Sequence, residues 1–144
     1  MKPHGSKFEY GHERDTDLLR AYRQLIISAE YISMPLIYES VVMMPSSRFW
    51  VSEERAAIVI AAMMKGDKLL SMRPNKREMF VEIYRRAMTL KKECPQLSVL
   101  DVAFKVVRQP APKFYLTPGS AKVIICKAKK EWYEERKRRL RHLL

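Results

Sequence analysis

Apolar residues recur at helical spacing along both halves of the chain, and prolines, glycines and small hydroxyl residues punctuate them. In the second half, Met79, Phe80, Ile83, Tyr84 and Ala87 form one stripe of a helix expected over about 76–92. Asn75 and Glu78 stand at capping-box spacing at its start. Pro95 ends that helix. Ser98 and Asp101 then cap a second one, running to about Arg108, with Val99, Val102, Ala103, Val106 and Val107 facing a core. Pro110 and Pro112 stop it. Thr117 followed by Pro118 reads as an N-cap with proline at the first helical position, opening a third helix toward the C-terminus. The first half repeats the plan. A helix is expected from about Thr16, another from about Pro35 to Met44, and a third capped by Ser52 and stopped by Gly66.

The repetition extends to individual residues. PSSRFWVSEE begins at Pro45 and PAPKFYLTPG at Pro110, which pairs Arg48 with Lys113, Phe49 with Phe114 and Trp50 with Tyr115. Upstream, Leu18–Arg23 lies over Phe80–Arg85, an insertion near Glu93–Leu97 reconciling the offsets. The expected fold is therefore all-α, a tandem duplication of a three-helix unit at 17–65 and 79–130. Residues 1–16 form a flexible N-terminal segment, 66–78 a basic linker and helix start, and 131–144 a basic helical extension. Each shared phrase reads as a short extended segment before the third helix. Side chains alternate in extended chain. Phe49 and Phe114 should plug the cores, leaving Trp50, Tyr115, Arg48 and Lys113 on the outward side.

Composition sharpens the functional side. The 144 residues fit one domain or two very small ones, and 47% are apolar, enough for a core. No apolar run approaches membrane-spanning length, and no export signal opens the chain. Cys94 and Cys126 stand alone, as reduced thiols in a cytoplasm would, with no metal-ligand spacing. The net charge of +12 is unevenly placed: residues 17–64 carry four cations against five acids, residues 65–92 nine against three, and residues 127–144 eight against three. A polyanion, nucleic acid first, is the expected partner.

Candidate contacts follow the charge. Around the first helix of the second copy stand Arg73, Lys76, Arg77, Arg85, Arg86, Lys91 and Lys92. The third helix and tail add Lys122, Lys127, Lys129, Lys130, Arg136, Lys137, Arg138, Arg139 and Arg141. Arg48 and Lys113 suit phosphates, and Trp50 and Tyr115 suit stacking on bases. The first copy offers only Arg20 and Arg23 on its first helix. Its Met34, Met43, Met44, Met63 and Met64 instead make a soft apolar surface for a protein partner or self-association. Catalysis is not expected. There is no glycine-rich phosphate cradle, carboxylate pair or nucleophile–base set, and His4, His12 and His142 lie near the termini. No cofactor or metal is implied.

A basic three-helix unit whose last helix follows an aromatic turn resembles helix-turn-helix proteins, in which the third helix enters the major groove. Residues 73–133 also resemble small basic proteins of bacterial prophages and other mobile elements that carry a PAPRFYV-like phrase. That second resemblance supplies a mobile-element context and no activity. With the charge map and the helix-turn-helix pattern, the leading expectation is a DNA-binding regulator or accessory architectural factor, the third helix of the second copy facing the groove. The rival reading is an adaptor or structural protein of a virion or nucleoprotein assembly, docking through the Met-rich first copy. RNA is a third option, because aromatics suit single strands.

Overall fold

The computed structural model describes residues 10–143, and these form α1 (Gly11–Ser28), α2 (Met34–Val41), α3 (Glu53–Met64), α4 (Pro74–Glu93), α5 (Val99–Val107) and α6 (Pro118–Leu143). The architecture is all-helical, with no named strand among the described residues. Hydroxyl caps start three of the helices. Ser52 Oγ accepts the Arg55 N–H at 3.2 Å, Ser98 Oγ accepts the Asp101 N–H at 3.2 Å, and Thr117 Oγ1 accepts the Ser120 N–H at 3.1 Å. Gly66, at φ +101°, closes α3 as expected, because the Lys65, Gly66 and Asp67 N–H groups turn back onto the carbonyls of Ala62 and Met63.

Three boundaries differ from expectation. The capping box at Asn75 and Glu78 does not form. Pro74 takes the first position of α4, where a missing N–H costs nothing, so the helix starts two residues early behind an Arg73 that makes no side-chain cap. Helix α2 ends at Val41 rather than Met44, tightening into a turn in which the Met43 and Met44 N–H groups reach Ser40 and Val41 carbonyls. Helix α1 begins at Gly11. Of the segment expected to be flexible, residues 1–9 lie outside the described residues and 11–16 are helical. Tyr10 anchors this start, its hydroxyl donating to Glu53 and its ring 6.3 Å from that of Trp50.

The helices do not pack in chain order. Leu18, Ala21 and Tyr22 of α1 and Ile37, Tyr38 and Val41 of α2 share a core with Ala121 and Ile125 of α6. Ala56, Val59 and Ile60 of α3 share theirs with Phe80, Ile83 and Ala87 of α4 and Val102, Ala103 and Val106 of α5. The expected units 17–65 and 79–130 are thus not the packing units, since each third helix completes the three-helix core of the other half. The connectors explain this. Pro45, Pro110 and Pro112 hold them extended and deny a tight reversal, and the two run past one another in opposite directions. Ser46 and Ala111 exchange both backbone hydrogen bonds at 3.0 Å, the one antiparallel bridge among the described residues. On either side the Phe49 N–H donates to the Val107 carbonyl at 2.9 Å and the Phe114 N–H to the Val42 carbonyl at 3.0 Å.

The crossing also corrects the inside–outside reading of the aromatics. Phe49 and Phe114 are buried, in different cores. Alternation does send their neighbours to the opposite side, but that side is the other core. Tyr115, only 9% exposed, packs on Phe49 with ring centroids 6.1 Å apart, and half-buried Trp50 packs against the cluster that holds Phe114.

Candidate nucleic-acid interface

The sequence-selected cations divide sharply by what they touch. Most of those nearest the connectors and on α4 are engaged by other groups of the fold. Arg48 donates to the Phe49 and Val51 carbonyls at 3.1 Å, lies 3.5 Å from the Glu53 carboxylate and sits 4.3 Å from the Tyr10 ring. Lys113 pairs with Glu78. Arg77 gathers the Leu69, Leu70 and Met72 carbonyls at 3.0–3.1 Å, bracing the loop that drops Leu69 into the core. Arg86 donates to Glu82 and to the Pro110 carbonyl at 2.8 Å, with its guanidinium 4.9 Å from the Phe49 ring. Arg85 pairs with Glu82, and Lys91 donates to the Leu97 carbonyl at 3.0 Å. A cation already neutralised or spent on capping carbonyls has little left to offer a phosphate.

Of the two aromatics expected to stack on bases, Tyr115 is buried and Trp50 is half-buried against the core. The Trp50 indole N–H donates to Asp17 at 3.1 Å. Burial, helped by the Glu82 and Glu78 carboxylates, pushes the Tyr115 hydroxyl up to about 12. Both rings are parts of the crossing.

Two carboxylates hold that crossing. Buried Asp17 accepts from the Ser47 N–H and hydroxyl at 2.9 Å, from Ser46, from Trp50 and from Arg20 at 2.8 Å. Burial pushes its pKa up, but the bonds from Ser47, Arg20 and Trp50 outweigh that and hold it below the usual value. Glu53 is likewise lowered. Its burial is outweighed by the Tyr10 hydroxyl, its own backbone N–H and the charges of Arg48 and Arg108.

What remains is α6. Its 26 residues carry nine cations against three carboxylates. From Lys129 onward every described residue is exposed, since α1 ends and no other element covers the shaft. Lys122, Lys127, Lys130, Lys137, Arg138 and Arg141 have no hydrogen-bond or ion-pair partner among the described residues, and neither do Arg73, Lys76 and Lys92 near α4. Arg139 pairs with Glu135 at 2.8 Å, and Lys129 reaches the Tyr22 hydroxyl at 3.3 Å. Alongside the packed faces of α1 and α6 runs an open groove of about 1040 Å³, whose lining includes Leu19, Val123, Ile124 and Trp132.

Sequence reasoning passed over Trp132 and Tyr133. The signal was present: the core stripe of Ala121 and Ile125 continues one turn too far, into an aromatic pair surrounded by charge. Among the described residues there is no cluster of three or more metal-ligating side chains, and no helix is long and apolar enough to cross a membrane. Compared with protein-family models, with curated proteins and with solved structures, the chain finds no match.

Proposed function

We propose that this protein binds nucleic acid, DNA first, through phosphate contacts along α6, as an accessory or regulatory protein of a mobile element. One observation carries the reading. Most cations of α4 and the connectors are engaged within the fold, Lys76 and Lys92 excepted, whereas most of those on α6 are unpartnered and stand on a shaft that nothing else in the described chain covers. Arginines and lysines placed on all sides of a solvated helix repel one another, and a polyanion relieves that repulsion by releasing its counterions. We take the chain to be a tandem duplication as well. The bonds Phe49 to Val107 and Phe114 to Val42 map onto each other at the 65-residue offset that relates the two phrases, and Ser46 and Ala111 pair across the same relation.

The test is duplex binding by fluorescence anisotropy as a function of salt. About six phosphate contacts give a log–log slope near −5. Deleting 136–144 removes five cations beyond the last contacts with α1, and should shallow the slope by up to about 4 while leaving thermal unfolding unchanged. No binding at low salt, or an unaltered slope after truncation, overturns the proposal.

A second reading, an adaptor, is favoured by the exposed Ile27, Tyr31, Ile32 and Leu36 at the α1–α2 junction. A complex or dimer lost on Tyr31→Glu, with nucleic-acid binding intact, would move the function there.

A further inference from the structure

We infer that α6 takes an unpaired strand as well as duplex phosphates, with a base of that strand stacked on Trp132 and Tyr133; this rests on the phosphate-binding reading above. Ala121, Ile125 and Trp132 lie on one face of the helix, and the first two are fully buried against α1 and α2. Past Lys129 the core has ended. A solvated helix should be polar there, yet Trp132 is 42% and Tyr133 58% exposed, their rings edge to face at 5.2 Å. Two large aromatics left in water mark a contact surface.

The charges around the pair select the occupant. The Arg136 guanidinium lies 5.2 Å and that of Arg23 6.0 Å from the Trp132 ring, and Lys129 stands one turn below. Three acids stand in the same stretch: Glu131 and Glu134 flank the pair in sequence, and Glu135 is tied to Arg139, so the cations Arg23, Lys127, Lys129, Lys130 and Arg136 still outnumber them. An apolar protein surface seated here would bury these cations without partners, which is unfavourable. A nucleotide strand supplies both needs at once, a phosphate for the cations and a π-face for the rings. Arg136 has no carboxylate partner among the described residues, so it can swing from the ring to a phosphate as a base takes its place. Bases within a duplex are already stacked on each other and have no face to give. Arg23 and Lys127 on the groove walls extend the path for the strand backbone beyond Trp132.

The experiment titrates the full-length chain with oligothymidylate and with a duplex of equal length, reading tryptophan emission and anisotropy for wild type, Trp132→Leu and Trp132→Phe. Trp50, held by Asp17, is the second emitter and should not respond. Oligothymidylate should quench wild-type emission. Trp132→Leu should abolish the quenching and weaken the single strand about 5- to 150-fold, with under about twofold change for duplex. Trp132→Phe should keep most of the affinity. Unchanged single-strand binding by Trp132→Leu overturns the inference while leaving the phosphate reading intact, and so do equal losses for both nucleic acids. A dimer that dissociates on Trp132→Leu with oligonucleotide binding unaltered assigns the pair to a protein contact and also overturns it. Failure of wild type to bind either nucleic acid removes both readings.

Discussion

Replacing Asp17 tests whether the crossing is fastened as described. Its carboxylate gathers donors from α1, the first connector and Trp50, so truncation to alanine leaves several without an acceptor. Not all of them matter. Arg20 is 43% exposed at its side chain and turns to water, and the Ser46 hydroxyl keeps the Arg48 carbonyl at 2.7 Å. The Trp50 indole N–H and the Ser47 N–H are the donors left in partly buried surroundings. At about 1–3 kcal/mol for each such donor, Asp17→Ala should cost about 2–6 kcal/mol. Asp17→Asn keeps the shape and one acceptor but not the charge, and should cost about 1–3 kcal/mol. Because the folded pKa lies below the ordinary 3.8, the contribution is fully present above that value and is lost as the pH falls through the folded pKa. Urea unfolding followed by circular dichroism should therefore show wild type and Asp17→Asn converging in acid, while other carboxylates such as Glu53 cancel from the difference. A loss below about 1 kcal/mol for the alanine variant at pH 7, or a wild-type-to-asparagine gap independent of pH, would refute the reasoning.

Phe49→Ala and Phe114→Ala should each cost about 3–5 kcal/mol in denaturant unfolding, since each ring plugs a different core at the crossing; a loss under about 1 kcal/mol would place the ring outside a core. Arg77→Ala and Arg86→Ala should lower the melting temperature yet leave the salt slope of DNA binding untouched, whereas Arg138→Ala with Arg141→Ala should do the reverse, shallowing the slope by roughly 0.9 per true contact. In alkali the raised hydroxyls of Tyr38 and Tyr115, both at about 12, contribute stability fully present below the ordinary tyrosine value of 10.0 and lost as the pH rises toward 12. Absorbance titration should show these two ionising last among the seven tyrosines, and early ionisation of Tyr115→Phe-sensitive signal would contradict its burial.

The helices, their serine and threonine caps, the stop at Gly66 and the buried phenylalanines were legible in the amino-acid sequence, because cap, proline and stripe act between residues a few positions apart. The charge of the α6 extension was legible for the same reason. Which helices share a core was not. The two halves carry interchangeable apolar stripes, so α3 and α6 satisfy either partner pair equally well by pattern, and only the crossing of two extended connectors selects the exchange. The fate of the site residues turned on that selection. Arg86 meets the Pro110 carbonyl, Lys113 meets Glu78 and Trp50 meets Asp17 only because the connectors pass between the two cores. Contacts between residues 24 to 35 positions apart leave no periodic trace. The local pattern therefore specified the helices and where charge accumulates, while the tertiary arrangement decided which cations are used up inside the fold and which aromatics, Trp132 and Tyr133, remain outside it.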